Sequence, residues 1–166
     1  MNLKKPIFVT KPFLPALEEF QRRLPEIWES RILSNNGPMV KELEKKLCHY
    51  LQVPHISLVS NATIGLMIAI KALGIKGDII TTPFSFVATA HAVLWNNLKP
   101  VFVDIEEDSL NIDVNRINSA LSNNTEAILP VHCYGNVCSV ETINNIAQKN
   151  NLKVIYDAAH AFGVND

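Results

Sequence analysis

The sequence predicts an α/β protein in which a mostly parallel sheet is flanked by helices, and three observations carry that expectation. From about residue 55 onward, short apolar runs rich in β-formers alternate with helical stretches. The runs are apolar on both faces, as strands covered above and below must be. Each run is also close to the common strand length of about five or six residues.

The expected strands are His55–Ser60, Asp78–Thr82, Pro100–Asp104, Glu126–His132 and Leu152–Asp157. The intervening helices are expected over Thr63–Leu73, Phe84–Trp95, Asp113–Leu121 and Ser139–Asn150. Thr63–Leu73 is apolar almost all round, which predicts deep burial. Asp113 and Ser139 stand where N-caps belong. Ile112, Ile117, Ala120 and Leu121 form one apolar face, and Ile143, Ile146 and Ala147 another. Crossovers between parallel strands are right-handed, and ligands bind beyond the carboxyl ends of such strands. The places to look are therefore just after Ser60, Thr82, Asp104, His132 and Asp157.

The N-terminal third differs. Pro15–Arg31 and Met39–Leu51 read as helices joined by the turn Leu33-Ser34-Asn35-Asn36-Gly37-Pro38. Pro25 is expected to kink or break the first of them. The organisation expected is a helical segment over 1–52 and a sheet-bearing domain over 53–166.

Composition narrows the function. The 166 residues are 48% hydrophobic, enough for a real core, and the net charge is −1. No basic stretch offers a nucleic-acid footprint, so no nucleic-acid partner is expected. The start, Met1 to Pro12, breaks its apolar run at Lys11 and Pro12 and does not read as a signal peptide. No window approaches the roughly 20 apolar residues of a membrane span. A cytoplasmic setting without a membrane partner is the expectation. Cys48, Cys133 and Cys138 are too few and too unevenly spaced for a disulfide framework or a zinc site, so buried reduced thiols and no metal are expected.

Three places could carry chemistry. Ser60-Asn61-Ala62-Thr63 follows an expected strand and opens a helix. It reads as a helix cap, or as an anion cradle in which free N–H groups and the helix dipole meet a phosphate. No Gly-rich dinucleotide or Walker signature is present. Thr81-Thr82-Pro83-Phe84-Ser85-Phe86 places two phenylalanines at a strand end, as core or as a flat face for a ring. Asp157-Ala158-Ala159-His160 ends the last run with a carboxylate that either caps a turn or holds a heteroaromatic nitrogen protonated.

The order and placement of these features resemble the DegT/DnrJ/EryC1/StrS family of pyridoxal-phosphate-dependent sugar-nucleotide aminotransferases. The matching stretches are Asn36-Gly37-Pro38, Ser85-Phe86-Val87-Ala88-Thr89, Pro100-Val101-Phe102-Val103-Asp104, Pro130-Val131-His132-Cys133-Tyr134-Gly135 and Asp157-Ala158-Ala159-His160-Ala161-Phe162-Gly163. Within the family, Thr81–Phe102 and His132–Gly135 look most like the viosamine-type transaminases that form dTDP-4-amino-4,6-dideoxyglucose.

The resemblance implies a fold-type I large domain and the cofactor pyridoxal 5′-phosphate. It implies that Ala62 and Thr63 contact the phosphate, Phe86 stacks on one ring face and Ala159 packs on the other. Asp157 would pair with the ring nitrogen and His160 would face the phenolic oxygen. Relatives usually carry Gly where Ala62 stands and often Gln where His160 stands. The implied reaction converts a nucleotide-linked 4-keto-6-deoxy sugar to the 4-amino sugar, with glutamate as donor, for O-antigen or other polysaccharide synthesis, in a homodimer. The family's Schiff-base lysine lies beyond the last motif, and none of this chain's lysines matches it. The expectation is a partial large domain without its small domain, inactive alone and with apolar surface uncovered. The alternative is a non-catalytic α/β binding or partner module.

Overall fold

The computed structural model describes residues 10–164. These fall into two units that meet in the chain between Leu58 and Val59.

The first unit is helical. Helix α1 spans Leu17–Ser30 and helix α2 spans Pro38–Leu51. Pro38 occupies the first turn of α2, where its missing N–H costs nothing. Helix α1 runs on through Pro25, so the break that this residue allows does not occur. The carbonyl of Gln21, which loses its donor to the proline ring, lies on an exposed residue where water can serve it. Arg23 of α1 pairs with Glu42 of α2, and Lys46 one turn along α2 also reaches Glu42, at 2.6 Å.

The expected strand His55–Ser60 does not form. The N–H of Leu58, which a ladder would use, instead donates to Glu44 Oε1 of α2 at 2.9 Å. A strand exists only through a neighbour's hydrogen bonds, and none of the four described strands pairs with this segment.

The second unit is the predicted parallel α/β layer. Helix α3 (Ala62–Ala72) leads to strand β1 (Asp78–Thr81), then to α4 (Ala88–Trp95) and β2 (Pro100–Phe102). Helix α5 (Val114–Ala120), β3 (Thr125–Ile128), α6 (Val140–Lys149) and β4 (Lys153–Val154) follow. The sheet order is β2-β1-β3-β4, every pair parallel. Beyond the regular part of β3 and β4, a further bridge pairs Val131 with Asp157.

Side-chain alternation divides the core in two. Ile80, Ile128 and Val154 face α5 and α6, where Ile112, Ile117, Ile143, Ile146 and Ala147 close the layer. Ile79, Ala127, Leu129 and Ile155 face α3 and α4, against Leu66, Ile70, Ala92 and Val93. The expected apolar faces of α5 and α6 are therefore both in the core.

Three local expectations need correction. Helix α4 starts at Ala88 rather than Phe84, because Thr82 Oγ1 accepts the Phe84 N–H at 3.2 Å and turns the chain. Ser139 occupies the N-cap position of α6 without a side-chain cap bond, whereas Asp113 does cap α5 by accepting the Asn115 N–H at 3.0 Å. Helix α3 is not deeply buried. Leu66 and Ile70 face the sheet, but Ile68 is 52% exposed and Ile64 and Leu73 are also open. The sheet covers one side of α3 and α4 covers another, and within this unit no further layer lies outside them.

Candidate active site

The topology decides where a ligand can sit. Helix α3 runs into β1 through a short turn, so its amino end lies toward the carboxyl ends of the strands. The loops after β1 and β3 and the segment after β4 converge on that same edge. There a cavity of about 340 Å³ is lined by Pro83, Phe84, Ser85, Phe86, Val131, Cys133, Tyr134 and His160. That volume lies within the roughly 300–1,000 Å³ range of small-molecule sites.

Asn61 caps α3, accepting the Ile64 N–H at 3.0 Å, and the Gly65 N–H goes to the Asn61 carbonyl at 3.1 Å. The cap and the cradle are thus compatible. Two of the first four helical N–H groups are used, and those of Ala62 and Thr63 have no acceptor among the described residues. Ala62 is exposed, and its methyl group projects from a helix tip that remains open.

Neither phenylalanine is core. Phe86 is 72% exposed on the cavity rim, and Phe84 is half-buried beside it. Phe84 meets Tyr134 edge to face, with ring centroids 6.3 Å apart. Tyr134 in turn stacks on His160, centroids 5.8 Å apart and planes within 7°. One wall of the cavity is therefore aromatic, and His160 belongs to it.

Asp157 is 8% exposed and is bridged to Val131 of the cavity wall. Its backbone continues the sheet: Asp157 N–H donates to Pro130 O at 2.9 Å, and Asp157 O accepts from His132 N–H at 3.0 Å. The carboxylate accepts from Thr89 Oγ1 at 2.7 Å on Oδ2 and from the Ala159 N–H at 3.2 Å on Oδ1. Among the described residues it has no ion-pair partner. A buried carboxylate held only by neutral donors has room for a cation, and a protonated heteroaromatic nitrogen supplies one. Ala62, Thr63, Asp157 and Ala159 do not line the cavity itself. Phe86 and His160 do, and Val131, paired with Asp157, joins them.

Two features escaped sequence reasoning. Thr89, the carboxylate's donor, is marked in the sequence only by its spacing of four from Ser85, with which it shares a hydrogen bond. Asn111, 3% exposed, holds the loop after β3. It accepts the Cys133 N–H at 3.0 Å and donates to the carbonyls of Asn136 and Val137 at 3.2 and 3.1 Å. Nothing in the sequence marks it. Cys133 and Cys138 are buried free thiols; burial, with Glu106 and Cys133 nearby, pushes Cys138 up to about 12. Burial likewise raises Cys133.

Comparisons with known proteins bear on the fold and the family. A model described as the DegT/DnrJ/EryC1/StrS aminotransferase family matches residues 16–166. A dTDP-4-amino-4,6-dideoxy-D-glucose transaminase of Shigella dysenteriae is 61% identical over 164 residues, 99% of this chain and 45% of that protein. The crystal structure of DesI in the presence of its TDP-sugar product superposes with a TM-score of 0.93 at 34% identity, over 97% of this chain and 41% of that one. NtdA from Bacillus subtilis, solved with bound cofactor PMP, gives a TM-score of 0.79 at 34% identity, over 99% and 40%. The chain thus spans less than half the length of these relatives. They identify the sheet as part of a fold-type I large domain and indicate pyridoxal phosphate as the cofactor of that fold. By the match over residues 16–166, the chain belongs to the DegT/DnrJ/EryC1/StrS aminotransferase family.

Proposed function

We propose that this chain supplies the cofactor-binding layer of a pyridoxal-phosphate-dependent transaminase. The transaminase converts a dTDP-linked 4-keto-6-deoxy sugar to the 4-amino sugar, with glutamate as donor. The observation that carries the reading is Asp157: a buried carboxylate without a cation among the described residues, bridged to Val131 of an aromatic-walled cavity. The identity to the Shigella transaminase supports the sugar.

The cofactor, when bound, supplies an electron-withdrawing ring that stabilises negative charge at the carbon losing its proton. The chain's own residues bind and orient. The open amides of Ala62 and Thr63 hold the phosphate, Phe86 covers one ring face and Ala159 the other. Asp157 keeps the proton on the ring nitrogen, and His160 faces the phenolic oxygen.

No lysine of the sheet unit reaches this edge. Lys76, Lys99 and Lys153 sit at the amino ends of β1, β2 and β4, Lys71 lies in the last turn of α3, and Lys149 ends α6. Lys153 Nζ is bound to the Leu73 carbonyl. The amine for covalent chemistry therefore comes from outside this unit. Homodimers, a cytoplasmic setting and a role in O-antigen or related polysaccharide synthesis complete the reading. No helix among the described residues is long and apolar enough to cross a membrane.

Titration of the purified chain with pyridoxamine 5′-phosphate, followed by its fluorescence, tests the site. Saturable one-to-one binding is expected, and no binding overturns the reading. Borohydride treatment with pyridoxal 5′-phosphate and peptide mapping tests the lysine. Stoichiometric labelling of any one of the five lysines named above would show that the chain carries its own covalent anchor.

A further inference from the structure

Thr89 is 1% exposed, and its hydroxyl stands between two oxygens: Asp157 Oδ2 at 2.7 Å and Ser85 Oγ at 2.6 Å. An ionised carboxylate only accepts, and a threonine hydroxyl has a single proton. The proton of Thr89 is therefore committed to Asp157, and Ser85 must donate to Thr89. The chain of hydroxyls has one direction, Ser85 to Thr89 to Asp157. Ser85 lines the cavity, so with its own proton committed it offers the ligand only lone pairs.

The terminal torsion of an aspartate is broad and roughly two-fold, so a carboxylate plane is not fixed by its rotamer. Here it is fixed from both sides, by Thr89 on Oδ2 and by the Ala159 N–H on Oδ1. The Ala159 bond is local and constrains the carboxylate only relative to its own turn. The Thr89 bond comes from α4, across 68 residues of sequence, and ties the carboxylate to the loop that carries Phe86.

We infer that Thr89, backed by Ser85, is a positioning residue that sets the plane of the Asp157 carboxylate toward the ring nitrogen of the bound cofactor. This rests on the reading of the cavity as a pyridoxal-phosphate site. Thr89 touches neither cofactor nor substrate; it acts through Asp157. The hydroxyl is the functional element, because a methyl group in its place frees the carboxylate to rotate and removes a donor from a buried acceptor.

The test is a fluorescence titration of the chain with pyridoxamine 5′-phosphate and with its 1-deaza analogue, in which a C–H replaces the ring nitrogen. The variants are Thr89→Val, Thr89→Ser and Ser85→Ala. Thr89→Val weakens pyridoxamine phosphate binding roughly 10-fold, as loss of a charge-assisted hydrogen bond predicts. Thr89→Ser restores binding to within about twofold, since the donor remains. Ser85→Ala falls between them. All variants bind the deaza analogue as the parent chain does, because that analogue has no N–H for the carboxylate to orient on. Equal binding by Thr89→Val and Thr89→Ser overturns the inference, as does an equal loss for both ligands, which would mark a merely structural role. If the parent chain binds the two ligands equally or binds neither, it is the cofactor reading that fails, and the inference with it.

Discussion

Thr89 donates to Asp157 over 2.7 Å, so a helix on one face of the sheet holds the carboxylate at the end of the last strand. The relationship joins α4, the loop carrying Phe86 and the segment after β4 into one edge. It also separates two parts of Asp157: the charge proposed to meet a cofactor's ring nitrogen, and the acceptor that holds the edge together.

Asp157→Asn isolates the charge. The amide keeps the size of the side chain and an oxygen for Thr89, while its NH2 replaces the acceptor of the Ala159 N–H, so the fold should hold with only a modest fall in melting temperature. Pyridoxamine phosphate affinity should fall by roughly 10-fold or more, the scale of a charge-assisted bond. In a protein that also carries the downstream portion present in its relatives, transamination should be crippled while the far-ultraviolet circular dichroism is unchanged. Full activity in that variant would remove Asp157 from the site.

Asn61→Asp separates the cap from the cradle. Aspartate caps as well as asparagine, so the stability of α3 should hold, whereas Asn61→Ala should cost about 1 kcal/mol in denaturant unfolding. The added negative charge lies beside the open amides of Ala62 and Thr63, so inorganic phosphate should protect the parent chain against heat more than it protects Asn61→Asp. Equal protection would place the phosphate elsewhere.

Asn111→Ala should be among the most damaging single changes in the sheet unit. It strands the Cys133 N–H and the carbonyls of Asn136 and Val137 in a buried setting. Losses of about 2–4 kcal/mol are expected from urea unfolding. The loop it holds carries Tyr134, so ligand binding should weaken even at temperatures where the variant stays folded. A near-neutral change would mean that the loop is held by its aromatic contacts alone.

Alkaline pH should destabilise the fold through Cys138. Its thiol ordinarily titrates near 9.0, and burial holds it neutral up to about 12. Below the lower value both folded and unfolded forms are protonated and stability is intact. Between the two values only the unfolded chain loses the proton, so stability falls as pH rises through this window. Cys138→Ala should flatten that decline in urea midpoints measured from pH 8.5 to 11. At pH 8 an alkylating reagent should reach Cys138 only after denaturation.

Much of the architecture was readable in advance because it depends on local pattern. The neighbours Ile79 and Ile80 enter opposite cores, and Ala127, Ile128 and Leu129 repeat the alternation one strand away. A run that is apolar on both faces can satisfy that only with helices above and below. The segment His55–Ser60 has the same pattern and forms no strand, because its Leu58 amide is taken by Glu44. Helix α1 runs on through Pro25, and Gln21, whose carbonyl loses its donor to the proline, is an exposed residue.

The site divides in the same way. Asp157 at a strand end, Phe86 after another and the helix opening at Ala62 are positions that a strand-and-helix reading alone can place on one edge of a parallel sheet. The residues that hold them are not so marked. Thr89 and Asn111 are ordinary polar residues until packing brings each within hydrogen-bond distance of a group far along the chain. By itself, then, the sequence determined the parallel sheet with helices above and below it and the family, and it named the edge on which a ligand is proposed to sit. Tertiary structure decided which donors meet the carboxylate, which amides stay open and which apolar faces remain uncovered. Those outcomes depend on contacts between distant residues, and no local periodicity encodes them.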